Sequence, residues 1–251
     1  MASIAEEVPI ALAFNGIAHA VMLATPENLE DFALGFALSE GIVARAGDVH
    51  DIEIATAANG ITVEVAIAAV AFASLKLHRR NLAGRTGCGL CGTESLDHVF
   101  RGAPTVDGGL VVDPVVFASA LDSLSHLQPL HAATGAMHAA AWVDEDGGVR
   151  LVREDVGRHN ALDKTIGALA QSKLAASRGF VLMTSRASSE IVHKAARVGI
   201  PLVAAISAPT SLAIDLAQRT GVTLVGFVRG ARYTVYAHGQ RLQAMTQAVA
   251  S

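Results

Sequence analysis

The sequence predicts an α/β (α+β) chain, with a βαβαβ core in its C-terminal half and a small α+β unit ahead of it. Three observations carry that reading. Gly179 to Thr184, Pro201 to Ile206 and Val222 to Val228 are short, continuous apolar runs of the kind that fill buried parallel strands. Ser188 to Arg197 and Ser211 to Arg219, between those runs, have the patterning of helices. The N-terminal region instead places apolar runs on either side of two Asn-Gly dipeptides, a mark of hairpins.

Taken in order, Val8 to Leu23 predicts two strands joined at Asn15-Gly16. Thr25-Pro26-Glu27 has the form of an N-cap, a proline at the first helical position and an early acid, and opens a helix that stops at Gly41. Asp51 to Ala55 and Ile61 to Ala68 form a second hairpin across Asn59-Gly60, so residues 1–75 read as a ββαββ unit. Residues 76–112 lose this periodicity and read as a loop-rich linker. Residues 113–251 form the larger domain: a helix from Asp113-Pro114 to about Ser125, two strands between Met137 and Arg153, a helix from Asn160 to Leu174, then the βαβαβ run. Right-handed crossovers make the last three strands parallel and gather the loops at their carboxyl ends on one edge, where open α/β sheets bind ligands. Those loops are Ser185-Arg186-Ala187-Ser188-Ser189, Ser207-Ala208-Pro209-Thr210 and Arg229-Gly230-Ala231-Arg232. Ser188 and Ser211 could simply cap their helices, but three loops bearing hydroxyl and guanidinium groups on one edge favour a ligand with phosphate.

A chain of 251 residues needs no disulfide or metal merely to fold. Its net charge of -4, without long runs of either sign, gives no electrostatic case for duplex nucleic acid or an anionic membrane. Its apolar runs are all shorter than the roughly 20 residues of a membrane span. The first residues carry no secretory signal, so a cytoplasmic location is expected.

The densest chemical signal is RTGCGLCG, Arg85 to Gly92. Cys88 and Cys91 are the only cysteines, and glycines beside them leave the sulfurs able to reach partners. Arg79, Arg80 and Arg85 favour the thiolate. Such a CxxC can be a dithiol redox pair, half a zinc site, a persulfide-bearing sulfur carrier or an inert turn. The redox reading lacks the strand-to-helix setting it needs. Zinc would require histidines such as His78, His98 or His131, since there is no second CxxC. Zinc deaminase chemistry lacks any His-x-Glu. A sulfur-handling site fits best, and no resident metal is expected.

REDVGRHNALDK, Arg153 to Lys164, concentrates seven charged or titratable residues between a strand and a helix. It reads either as a salt-bridged helix start or as the polar wall of a pocket, with Asp155 and His159 as candidates for ligand contact or proton management. In TGAMH, Thr134 to His138, the histidine reads as a core residue in an alanine-rich strand.

The strings VPIALAFNGIAHAVMLATPENLEDFALGFALSEGIV, AGRTGCGLCG, TGAMHAAAW, REDVGRHNALDK, TSRASSE, ISAPTSLAIDLA and TLVGFVRGARYTVYAHGQRL, in that order, resemble the formate dehydrogenase accessory sulfurtransferase family, FdhD or NarQ. The resemblance implies a cytosolic sulfurtransferase with a cytidine-deaminase-like mixed sheet and a tendency to form homodimers. It implies that sulfur passes from a cysteine desulfurase to a molybdenum bis(guanine dinucleotide) pterin cofactor, carried as cargo rather than as a permanent cofactor, before insertion into formate dehydrogenase. Cys88 matches the persulfide-bearing cysteine and Cys91 an assisting one. Phe227, Val228, Arg229, Gly230, Ala231 and Arg232 match the cofactor-binding stretch, and Ser185, Arg186, His159 and Asp155 join it as expected contacts. The chain departs from the family pattern at Val228, where cysteine is common, at Gly230-Ala231, at Gly239 and at His131. The rival reading is a non-enzymatic cofactor-binding chaperone of formate dehydrogenase with a structural or metal-binding CxxC.

Overall fold

The structure is a computed structural model that describes residues 3–82 and 104–243, and of residues 78–82 the backbone alone. Strands β1 (Val8–Phe14) and β2 (Ile17–Ala24) turn at Asn15 and Gly16, with φ of 46° and 78°. Left-handed angles at both central residues give the turn a twist that matches paired strands, as Asn-Gly predicts. The hairpin of β3 (Val49–Ala57) and β4 (Gly60–Ile67) closes one residue earlier than expected, around Ala58-Asn59, and Gly60 already pairs with Ala57. Gly60 serves a different need there: a Cβ on it would lie 2.4 Å from the carbonyl oxygen of Pro9 in β1. The four strands run in the order β2-β1-β4-β3, with β1 and β4 parallel.

Helix α1 (Leu29–Ser39) covers this sheet, burying Phe32 and Phe36 against Ile10, Leu12, Phe14, Val63 and Val65. It starts later than Thr25-Pro26 suggests, at Asn28 with φ 54° and no side-chain cap. Thr25 is employed elsewhere: its N–H donates to Asp155, its carbonyl accepts from Lys164 and its hydroxyl accepts from the N–H of Val156. Helix α2 (Ala69–Leu82) corrects the reading of residues 76–82 as linker. Leu75 packs into the N-terminal core and Lys76 lies 4.6 Å from the centroid of the Phe72 ring, so the helix is held by contacts that the basic sequence hides.

The larger sheet comprises β5 (His138–Asp144), β6 (Val149–Asp155), β7 (Gly179–Met183), β8 (Leu202–Ala205), β9 (Thr223–Arg229) and β10 (Arg232–Ala237), in the order β10-β9-β8-β7-β5-β6. The three central strands β7, β8 and β9 are parallel, as the βαβαβ pattern requires, and the flanking pairs are antiparallel. Helices α5 (Arg158–Gln171), α6 (Ser189–Arg197) and α7 (Ser211–Thr220) supply one buried layer, and α3 (Val116–His126) covers the opposite face. The short α4 (Pro129–Thr134) and the strand β10 are additions to the expected elements. Re-entry of the chain after residue 104 is pinned to the C-terminal end: Val106 donates its N–H to Thr220 at 2.7 Å and accepts from Arg241 at 3.0 Å.

Helix α1 is wedged between the two sheets, with α5 on its far side. The helices touch backbone to backbone, because a Cβ on Gly35 would stand 1.7 Å from the Asp163 carbonyl oxygen and one on Gly167 would stand 1.9 Å from that of Asp31. Among the described residues no helix is long and apolar enough to cross a membrane.

Candidate functional site at the carboxyl edge of the parallel strands

The structure brings the three expected loops into one continuous strip. Ala187 and Pro209 form a parallel bridge, and the N–H of Thr210 donates to the Ala187 carbonyl at 3.1 Å. The N–H of Phe227 then donates to Ser207 at 3.2 Å, and Gly226 lets the chain pass close to Pro209 and Ser207. Backbone bonds therefore fix the spacing of the loops independently of their side chains. Of the two capping serines considered, neither caps in that way: Thr210 caps α7 by accepting from the N–H of Ala213, and Ser188 stands at the N-cap of α6 without a side-chain cap bond. Its hydroxyl instead lies 3.2 Å from His159 Nε2.

Ser185 is buried and donates to the Arg186 carbonyl at 3.1 Å, while the Arg186 side chain is exposed along the strip. Phe227 has φ of 53°, a left-handed angle that an aromatic residue rarely adopts, and remains partly exposed. Side chains alternate along a strand, so Phe227 and Arg229 are exposed while Val228 between them is fully buried in the core with Leu202 and Val225. The expectation for Val228 is thereby narrowed to its backbone. Arg229 and Arg232 pair across the β9–β10 hairpin, with Gly230 at φ 58° in its turn. Phe227, Arg229, Ala231, Arg232, Tyr233 and Thr234 line an open groove of 660 Å³.

REDVGRHNALDK divides between two tasks. Arg153 bonds Asp31 of α1 at 2.7 Å, and Glu154 accepts from the N–H groups of Leu130 and His131, closing the start of α4. Asp155 is fully buried, and its oxygens accept from Thr25, Gly157, Asn160 and, at 2.7 Å, Lys164. With four donors already on it, the carboxylate braces the start of α5 rather than facing solvent. Asp163 and Lys164 also point inward. Arg158 and His159 stand partly exposed at the start of α5, His159 facing Ser188 and, at 3.4 Å, Glu190. Burial, reinforced by the charges of Arg158 and Lys194, pushes His159 down to about 4, so it is a neutral imidazole at physiological pH.

His138 is half-buried rather than a core residue. It lines a cavity of 440 Å³ with His131, Met137, Thr184 and Ile206, into which the Gln128 side chain also opens. Burial and then the Arg158 charge lower its pKa. Sequence reasoning counted Arg158 only among the charges of its motif and read His138 as a core histidine, so neither was named as a site residue. The one available signal was position: Arg158 is the first residue of a helix, where unpaired N–H groups favour an anion. Cys88 and Cys91 lie outside the described residues. Among the described residues no group of three or more His, Cys, Asp or Glu side chains could hold a metal ion.

The fold is that of an α/β protein with a parallel-centred sheet, and its carboxyl edge gathers guanidinium groups, hydroxyls and helix starts, the groups that suit an anion. Comparison with known proteins sharpens that class. Residues 5–243 match the FdhD/NarQ family. The chain is 60% identical over 240 residues to "Sulfur carrier protein FdhD" of Cupriavidus necator, covering 96% of this chain and 83% of that one. It is 54% identical to the protein of the same name from Variovorax paradoxus, covering 96% and 87% of the two chains. The crystal structure of a protein assigned as a formate dehydrogenase accessory protein from Desulfotalea psychrophila superposes with a TM-score of 0.73 at 27% identity, over 96% of this chain and 90% of that one. The chain belongs to the FdhD/NarQ family.

Proposed function

We propose that this protein is a sulfur carrier of the sulfurtransferase type, serving formate dehydrogenase. The observation that carries the ligand half of this reading is the backbone-tied strip from Ser185 to Arg232, which presents Arg186, Arg229 and Arg232 on one sheet edge. The names of the relatives support the sulfur half.

In this reading the Cys88 thiolate attacks the outer sulfur of a cysteine desulfurase persulfide. The new S–S bond forms on Cys88, the donor's S–S bond breaks, and the donor cysteine leaves as thiolate. Cys91 assists. The cargo is a molybdenum bis(guanine dinucleotide) cofactor, whose diphosphates suit Arg186, Arg229, Arg232 and the exposed backbone at Gly230 and Ala231. The aromatic face of Phe227 suits the guanine base. Holding the cargo on a fixed edge makes delivery of sulfur from Cys88 effectively intramolecular. His159 and Asp155 act behind that edge, His159 as a neutral donor or acceptor and Asp155 through the start of α5. The protein works in the cytoplasm, as a homodimer, with the desulfurase and formate dehydrogenase as its partners.

The test is peptide mass spectrometry after incubation with a cysteine desulfurase and cysteine. A reductant-labile gain of one sulfur on the Cys88 peptide, lost in Cys88→Ala, is the expected result. No gain, with the desulfurase shown active on another acceptor, would transfer the assignment to a cofactor-binding chaperone.

A further inference from the structure

Arg158 stands out among the cations enclosed by this fold. Its Nε is fully buried without a partner, and among the described residues none of its guanidinium nitrogens has a hydrogen-bond or ion-pair partner. The other enclosed cations are committed: Lys164 to Asp155 and Thr25, Lys194 to Asp163, Glu40 and Ser39, and Arg241, whose Nε is likewise unpartnered, through its two terminal nitrogens to Gly221, Thr223 and Val106. A partly buried guanidinium left open loses hydration without regaining hydrogen bonds, unless an acceptor arrives from beyond the described residues, as a bound ligand would.

The surroundings select the acceptor. Helices α5 and α6 both begin here without a side-chain cap, and the 3.2 Å contact from His159 to Ser188 joins their two starts. The first N–H groups of a helix have no partner within it, so two such ends and a five-donor fork converge on a small region. The Arg158 charge lowers the pKa of both His138 and His159, which disfavours a second cation beside it. Glu190 faces His159 at 3.4 Å and lies within electrostatic reach of Arg158, but forms no ion pair with it. A ligand with several oxygens around one centre matches this set of donors better than a planar carboxylate does.

We propose that Arg158 is a binding residue for a phosphate group, held against the starts of α5 and α6. The inference rests on the reading above for the identity of the ligand, a guanine nucleotide diphosphate, and a free inorganic pyrophosphate shares the same chemistry. Arg158 thus joins the strip of Arg186, Arg229 and Arg232 at its β7 end.

Calorimetric titration of GDP, pyrophosphate and guanosine into the wild type, Arg158→Gln and Arg158→Lys tests it. Arg158→Gln is expected to weaken GDP binding about 10- to 100-fold, the loss of a charge-assisted bidentate contact, and to leave guanosine binding unchanged. Arg158→Lys recovers part of the loss, having the charge but not the fork. Pyrophosphate binding that follows the same order supports recognition of phosphate by itself; GDP binding that follows it without pyrophosphate binding supports recognition within the nucleotide. Equal GDP affinity in all three proteins overturns the proposal, as does a wild type that binds neither anion. Arg158 holds no hydrogen bond or ion pair among the described residues, so Arg158→Gln should keep the wild-type Tm; if it does not fold, Arg158→Lys still has to bind GDP several-fold more weakly. Sulfur loading of the wild type, measured separately, reports on the carrier reading and not on Arg158.

Discussion

Lys194 of α6 reaches Asp163 of α5 with its Nζ 3.0 Å and 2.9 Å from the two carboxylate oxygens. Ser39 donates to the same carboxylate at 2.6 Å, and Glu40 accepts from Lys194 at 2.7 Å, so the pair also grips the end of α1. Burial alone would lower the Lys194 pKa, but Asp163 and Glu40 override it and hold the ammonium above its ordinary value. Burial pushes the Asp163 carboxyl up, against the pull of Lys194 and Ser39. The next residue, Lys164, makes the complementary contact with Asp155 and the Thr25 carbonyl, just before α1. Two consecutive residues thus fasten both ends of one helix.

Removing one partner of such a pair strands a buried charge. Lys194→Met should cost about 3–5 kcal/mol of stability, and Lys194→Met with Asp163→Leu should recover much of it. Urea unfolding of the single and double variants checks this, and a double variant less stable than either single one would contradict it.

Alanine ordinarily favours a helix over glycine by about 1 kcal/mol. At Gly35 and Gly167 the sign should reverse, because each methyl would fall inside the van der Waals radius of a carbonyl oxygen on the facing helix. Gly35→Ala and Gly167→Ala should each destabilise by about 3 kcal/mol or prevent folding, on the scale of severe overpacking. A rise in denaturation midpoint in either variant would show that the helices can separate freely.

His159 is depressed from 6.5 to about 4 in the folded protein. The unfolded chain therefore binds a proton at this position, between those values, that the folded chain refuses. The stability contribution of neutral His159 is complete above pH 6.5 and is lost progressively as pH falls towards 4. His159→Gln should flatten this acid limb when unfolding free energy is measured across the range. In Arg158→Gln the NMR titrations of His138 and His159 should both move up, since the Arg158 charge lowers each.

Phe227 combines a left-handed backbone with partial exposure, an arrangement that costs folding energy and suits a ligand contact. Phe227→Gly should leave stability unchanged or raise it by up to about 1 kcal/mol, while weakening GDP binding. Equal GDP affinity in the variant and the wild type would remove Phe227 from the site.

The parallel strands and the loops at their ends were legible because buried apolar runs and right-handed crossovers leave few alternatives. The start of α1 was not, because Thr25 has the chemistry of a cap and is drawn instead into contact with Asp155 and Lys164, 130 and 139 residues along the chain. The same non-local pairing explains REDVGRHNALDK. Its charges look alike in sequence, and only the structure shows that Asp155, Asp163 and Lys164 are buried while Arg158 and His159 stay partly exposed at the start of α5. Val228 escaped for a simpler reason: a matched stretch names consecutive residues, and a strand turns every second side chain away.

The double fastening of α1 bears on how the molecule comes apart. Separating the smaller sheet from the larger would leave Asp155, Lys164, Asp163 and Lys194 without part of their polar surroundings and open a glycine-lined groove to water. Partial opening at that seam is therefore costly, and native-state hydrogen exchange should find the strands of both sheets exchanging together through one shared global event rather than as two foldons.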